Sequence, residues 1–210
     1  INKYPYFRCG KQSNKNLKDM NIIFIRQDPP FDMSYITSTY LLEYIENEVK
    51  IVNKPSQIRN SPEKLFLNRW THLSPKTLIT RNIKEILDFR EKHKDIIVKP
   101  LYGNGGSGIF YIKKDDKNFN SIIEMFLKIE ADPFIVQEYL PEIVQGDKRV
   151  ILFDGEPVGA INRVPSDLDI RANMHVGGKA TKTILSKNDL EICKIIGPTL
   201  KEKGLFLVGI

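Results

Sequence analysis

The chain has 210 residues, 41% hydrophobic and 28% charged, with a formal net charge of +6. This balance suits a globular protein of one large or two small domains. With no apolar run near the roughly 18 residues that span a bilayer and no cleavable signal pattern, no membrane association is expected, and the cytoplasm is the expected compartment.

The lysines are dispersed and not interleaved with aromatics, so nucleic acid is not an expected partner. The modest basic excess suits small anionic ligands. Cys9 and Cys193 lie far apart and match no metal spacing, so both read as free thiols in a reducing compartment. His72, His93 and His175 stand apart from one another and from any cysteine or acidic cluster. A metallohydrolase or a nucleophilic triad therefore has no support. His93, between two lysines, reads as a solvated surface residue. His175 sits in a polar loop, where a substrate contact is the lesser alternative.

Residues 1–20 are polar and read as loop. Residues 21–25 form a short continuous apolar run, expected as a buried parallel strand, and Pro29-Pro30 stop it. Ligands gather at the carboxyl ends of strands in open α/β sheets, which makes Arg26 and Asp28 candidates. A salt-bridged turn is the plain alternative. Ser34 is placed to cap a helix over 35–47, and 49–52 is the next strand, giving a βαβ unit. Ser61-Pro62-Glu63-Lys64 has a cap-and-proline pattern for a helix reaching about Trp70. It puts Lys64 in a first turn, where the helix dipole does not favour a cation. A strand over 77–80 precedes a helix over 82–94, with Ile83, Ile86, Leu87 and Phe89 facing inward.

Residues 96–112 carry the strongest signal. Two β-prone runs flank Gly103-Asn104-Gly105-Gly106-Ser107-Gly108, and Lys99 closes the first run. Without Cβ atoms, such a loop can turn its N–H groups onto an anion, and Lys99 would add a point charge. No Gly-Lys-Ser/Thr follows, and the loop leads into a strand and not a helix, which sets aside the Walker and Rossmann patterns. The stretch reads as a hairpin lid over a nucleotide. An ordinary glycine hairpin is the alternative.

Beyond it, 119–129 is an amphipathic helix, and 134–137 a strand ending in Glu138-Tyr139-Leu140. A hairpin pairs 148–153 with 158–164 around Asp154-Gly155. Residues 167–178 form a polar loop holding Arg171, Asn173, Gly177 and Gly178. Ser186 caps a helix over 187–203, with a break expected at Gly197-Pro198, and a last strand covers 205–210. Starting at Ile1 and stopping inside an apolar run, the chain reads as a fragment cut at both ends.

Two separated lysines, a glycine lid, a Gln-Glu-Tyr-Leu strand end and an Asp-Lys-Arg strand start together resemble the ATP-grasp ligases. Within them, Arg26-Gln27-Asp28-Pro29-Pro30-Phe31-Asp32, Asn53-Lys54-Pro55, Gly146-Asp147-Lys148-Arg149-Val150 and Ile196-Gly197-Pro198-Thr199 are similar to bacterial glutathione synthetases. The resemblance runs from about Asn21 to the end. It implies an α/β protein, with the end of a parallel pre-ATP-grasp sheet domain (1–62), a lid subdomain (63–137) and the start of an antiparallel α+β ATP-grasp subdomain (138–210).

It also implies ligation of γ-glutamylcysteine and glycine, with ATP and Mg2+ (or Mn2+), in a homo-oligomer. Lys64 and Lys99 match the lysines on the ATP phosphates. Gly103, Asn104, Gly105, Gly106, Ser107 and Gly108 match the lid, and Gln137, Glu138, Tyr139 and Leu140 the adenine hinge. Asp147 matches an acidic position near the ribose. Arg149 and Arg163 match arginines facing the phosphoryl group. Arg171, Asn173, Gly177 and Gly178 match a second loop over the substrates, and Arg26 and Asp28 belong to the substrate side. The segment before Arg163 is one residue shorter than the family pattern, which leaves its register open. The family's magnesium ligands are expected beyond Ile210, so the 210-residue piece alone is expected to be inactive. The alternatives are another ATP-grasp carboxylate–amine ligase, or a nucleotide-binding module without turnover.

Overall fold

The computed structural model describes residues 8–166, 169, 171–173 and 177–210. The first seven residues and His175 lie outside them. The parallel pair expected at the start is present: β1 (Ile22–Phe24) lies beside β2 (Lys50–Val52), with Ile23 opposite Ile51, and α1 (Met33–Glu43) connects them. Two expectations change. Asp32, not Ser34, caps α1, its carboxylate accepting the Tyr35 N–H at 2.9 Å. And β1 is not buried, since Ile22 and Phe24 are each about half exposed. A continuous apolar run shows that a strand suits two covered faces, but says nothing of what covers them.

Pro55 opens α2 (Pro55–Arg59), standing at its first position, where the missing N–H costs nothing. Arg59 bonds Glu43 and lies 3.9 Å over the Tyr40 ring, which docks α2 on α1. The preceding Asn53 reaches the far end of the chain. Its amide accepts the Leu207 N–H at 2.7 Å and donates to the Leu207 carbonyl at 2.9 Å.

Next come α3 (Glu63–Phe66) and a 3-10 segment (Leu67–Leu73). Pro62 takes the cap position of α3 and makes no side-chain cap bond, so the expected Ser61 cap is not formed. Then follow β3 (Thr77–Thr80), α4 (Ile83–His93), β4 (Ile96–Lys99), β5 (Phe110–Ile112), α5 (Phe119–Ile129) and β6 (Phe134–Glu138). The four strands form an antiparallel sheet in the order β3-β6-β4-β5. Ile96, Val98, Ile112, Phe134 and Val136 pack with Ile86 of α4 and Ile123 and Phe126 of α5 into one core. Ile83 and Leu87, expected to face inward, are about half exposed. Because side chains alternate along a strand, Ile97, Lys99 and Gln137 turn to the face opposite this core, as does Thr77, which pairs with Gln137.

The second sheet joins β7 (Asp147–Phe153), β8 (Glu156–Val164), β9 (Lys179–Lys182) and β10 (Leu207–Gly209) in the order β10-β7-β8-β9. Its core packs Val150 and Leu152 against Cys193, Ile196 and Leu200 of α6 (Lys187–Glu202). β9 was not foreseen, and its four residues are all exposed, so no apolar alternation marks it. The helix does not break at Pro198. Pro198 lies on the exposed side, and its neighbour Gly197 is buried against the turn at Gly155. Pairing shifts between Ile151 and Leu152, which stand opposite Gly159 and Pro157. Val158 is therefore the extra residue of a β-bulge. With this bulge Arg163 stands opposite Asp147.

A Cβ on Gly197 would overlap the Gly155 carbonyl oxygen. Gly197→Ala should lower stability by about 1–3 kcal/mol, the usual cost of overpacking, with a matching fall in the urea midpoint. An unchanged midpoint would count against this contact.

Candidate active site

Lys99 and Lys64 anchor the cleft. Lys99 lies on the open face of the first sheet and donates to Gln137 Oε1 at 2.9 Å, while Gln137 Nε2 donates to Thr77 Oγ1 at 2.7 Å. Lys64, brought in by α3, donates to the carbonyl oxygens of Pro100 (2.9 Å) and Gly103 (2.6 Å). Every one of these acceptors is neutral. Burial, reinforced for Lys99 by the charge of Lys64, pulls the Lys99 pKa below the ordinary lysine range, and burial does the same to Lys64. The misfit of Lys64 with the dipole of its helix thus has a local answer: the ammonium is spent on the base of the glycine loop.

That loop joins β4 to β5. Gly105, Gly106 and Gly108 have φ of 61°, 86° and 68°, a region closed to most side chains. A Cβ on Gly106 would stand 2.9 Å from Asn173 Oδ1, and Arg171 Nη1 donates to the Gly106 carbonyl at 2.8 Å. The second polar loop therefore rests on the first. Asp169 clasps the Arg171 guanidinium, with Nε at 2.9 Å from Oδ1. Gly178 N–H bonds the Asn173 carbonyl at 3.1 Å, and a Cβ on Gly178 would overlap the Ala172 carbonyl. Gly177 is exposed.

On the second sheet, Asp147 and Arg163 form a two-pronged pair, both contacts 2.6 Å. Arg149, two residues along the same strand face, donates to the Gly209 carbonyl at 3.3 Å. Burial and then the charge of Arg163 lower its pKa.

The hinge follows β6. Glu138 N–H bonds the Lys76 carbonyl at 3.0 Å, and its carboxylate accepts the Lys76 N–H at 2.7 Å. His93 is not a solvated residue. It stacks on Phe89 at 4.3 Å with Nδ1 3.4 Å from Glu138, because α4 ends against the hinge. Tyr139 N–H bonds the Asp95 carbonyl at 3.1 Å.

Part of this set lines a cavity of about 250 Å³; Lys64, Arg149, Arg163 and residues 103–108 do not line it. Ile97, Ile109, Ile143 and Leu140 supply an apolar wall, and Lys99, Gln137, Asp147, Arg171 and Asn173 a polar one. An apolar slot with a few convergent polar groups is the usual form of a small-molecule site. Ile97, Ile143, Thr77 and Asp169 were not foreseen. Strict alternation along residues 96–99 would have found Ile97, and the Asp-x-Arg spacing would have flagged Asp169. Arg26 and Asp28 are exposed and do not line this cavity. Their segment reaches the lid through Pro29 and Phe31, which share a small cleft of about 50 Å³ with Lys64, Gly103 and Asn104. Among the described residues no cluster of three or more His, Cys, Asp or Glu side chains stands ready for a metal ion. They do not fit magnesium without further ligands.

Two facing antiparallel sheets, a glycine hairpin and buried lysines define the ATP-grasp fold. Solved structures share it: D-cycloserine synthetase DcsG (TM-score 0.64, 14% identity, 94% of this chain and 71% of that one), and D-alanine–D-alanine ligase from Bacillus anthracis complexed with ATP (TM-score 0.58, 16% identity, 90% and 61%). The family profile for the prokaryotic glutathione synthetase ATP-grasp domain matches residues 63–210, and that for the N-terminal domain of the same family matches residues 2–59. Proteins named glutathione synthetase from Agrobacterium fabrum and Brucella melitensis are 52% and 51% identical over 99% of this chain, covering 65% and 67% of their own lengths. The chain belongs to the prokaryotic glutathione synthetase family, and it spans about two thirds of the length of these relatives.

A largely desolvated cation whose hydrogen bond goes to a neutral oxygen is costly in the free protein and strengthens anion binding. Lys99→Met should therefore raise the melting temperature without ligand while weakening ATP binding about ten- to a hundredfold, read by thermal melting and calorimetry. If Lys99 holds the phosphates, its ammonium is the form that does so. Wild-type ATP affinity should thus fall as pH rises through the lowered lysine pKa, below the ordinary 10.5, and this fall should be smaller in Lys99→Met.

Proposed function

We propose that this chain carries the nucleotide and phosphoryl-transfer machinery of an enzyme joining γ-glutamylcysteine to glycine, giving glutathione, ADP and phosphate. The observation that carries the reading is the pair of half-buried lysines, Lys64 and Lys99, whose hydrogen bonds go to neutral oxygens, Lys64 at the base of the glycine loop and Lys99 on the strand that leads into it. The similarity to proteins named glutathione synthetase supplies the substrates.

A carboxylate is a poor electrophile. In the proposed reaction the cysteinyl carboxylate oxygen attacks the γ-phosphorus of ATP, and ADP leaves. The glycine amine then attacks the acyl carbon of the mixed anhydride, phosphate departs with the carboxylate oxygen, and the amine gives up a proton. No protein nucleophile is needed, so catalysis consists of positioning and charge compensation. Lys64 and Lys99 hold the phosphates, and residues 103–108 cover them and keep water from the anhydride. The hinge, Gln137 to Leu140, takes adenine through backbone groups, and Asp147 lies on the ribose side while orienting Arg163. Arg149 and Arg163 face the transferring group. Arg171, Asn173, Gly177 and Gly178 close over the dipeptide and glycine, and Arg26 and Asp28 lie at the dipeptide end. A bound divalent ion, magnesium or manganese, would offset phosphate charge. The described residues do not supply its ligands. The proposed enzyme works on small molecules alone, in the cytoplasm, as a homo-oligomer, with the division 1–62, 63–137 and 138–210. No helix among the described residues is long and apolar enough to cross a membrane.

The test uses the intact gene product containing this chain, with ATP, Mg2+, γ-glutamylcysteine and glycine, following ADP and glutathione together. Turnover should need both substrates, and Arg149→Ala should reduce kcat about a hundredfold or more, the scale of one lost transition-state donor. Equal ADP release with D-alanine pairs or with glutamate would favour another carboxylate–amine ligase. ATP binding without turnover on any pair would favour a binding module.

A further inference from the structure

One cluster beside the cleft has no part in the chemistry above. Asp95 directly precedes β4, after the turn that ends α4. Its carboxylate accepts the Tyr111 hydroxyl at 2.7 Å through Oδ2 and the Lys114 N–H at 2.9 Å through Oδ1. Its main-chain carbonyl accepts the Tyr139 N–H at 3.1 Å. The Tyr111 ring stacks on the Tyr139 ring, centroids 4.2 Å apart and planes inclined by 28°. One residue thus ties the start of β4, the end of β5 and the hinge. Tyr139 is gripped twice, at its backbone by Asp95 and at its ring by Tyr111, which Asp95 also holds. Of these residues, only Tyr139 lines the 250 Å³ cavity.

We infer that Asp95 and Tyr111 are positioning residues that fix the hinge peptide for the nucleotide base without touching the nucleotide. Three observations favour this over a purely structural brace. The bonds converge on a hinge residue that lines the cavity, and not on the core, which is filled by other side chains. The other side of the hinge is fastened separately, by Lys76 and His93 on Glu138, so Asp95 governs the Tyr139 side specifically. Burial, with the Asp95 bond, raises the Tyr111 pKa to about 12, and the Tyr111 and Lys114 bonds hold Asp95 below the usual carboxylate range. Donor and acceptor therefore keep their roles across the working pH range. A hinge that reads a base through its backbone N–H and carbonyl needs that backbone held within a fraction of an ångström, and an aromatic stack alone permits sliding.

The inference rests on the ATP reading, and its test separates the two. Tyr111→Phe removes one hydroxyl and keeps the stack, and Asp95→Ala removes the whole carboxylate. ATP and tripolyphosphate, which has no base, are titrated by calorimetry into the intact gene product containing this chain and into both of its variants. Each variant is expected to bind ATP roughly three- to tenfold more weakly and tripolyphosphate as the wild type does. In the intact enzyme the same variants should raise KM for ATP with kcat little changed. Unchanged ATP affinity in both variants would overturn the inference. So would an equal loss for both ligands, which would mean general loosening. A wild-type chain that binds neither ligand would instead overturn the nucleotide reading itself.

Discussion

The ammonium of Lys99 is the constraint on which the rest of the cleft depends. It sits on the open face of a sheet whose other face is sealed by α4 and α5, and its hydrogen bond goes to an amide oxygen. A charge taken from water with no opposite charge beside it is costly to hold. The fold accepts part of that cost at Lys99 and again at Lys64, where Glu63 offsets only some of it, and burial acts on Arg149 in the same way. Lys64 disfavours the charge on Lys99, and Arg163 that on Arg149. On the proposed reading a triphosphate relieves these charges together, which is how a site gains preference for a highly charged ligand over a small one.

The two sheets accomplish this by alternation. In the first, Ile96 and Val98 enter the core while Ile97 and Lys99 face the cleft. In the second, Val150 enters the core while Asp147 and Arg149 face outward. The bulge at Val158 absorbs one residue before Arg163, so the guanidinium meets Asp147 squarely. Without it every later side chain of β8 would switch faces.

Much of this was legible in the sequence because it rests on local rules. The 103–108 lid, the helix over 119–129 and the Asp154-Gly155 turn each carry their own signal in glycines, period or dipeptide. What was missed was decided at long range. Pro198 did not break α6 because the helix is held from outside, by Gly155 against Gly197. His93 was misread because its partners, Phe89 and Glu138, meet it only in the folded chain. β9 offers no apolar residue to betray it, and is placed by pairing with β8. Of the site, the lysines and glycines stood out by type and spacing. The apolar wall of Ile97, Ile109 and Ile143 did not, since those residues look like any other interior.

Asn53 bears on more than the link between the first and last strands. Among the described residues β10 pairs with β7 alone, and on its other side the Asn53 amide takes up both the N–H and the carbonyl of Leu207. A single side chain thereby imitates a neighbouring strand at the rim of the second sheet. Such rims are where separate molecules zip together into aggregates. Through Asn53 the first segment of the chain thus takes up two main-chain groups by which one strand could otherwise pair with another.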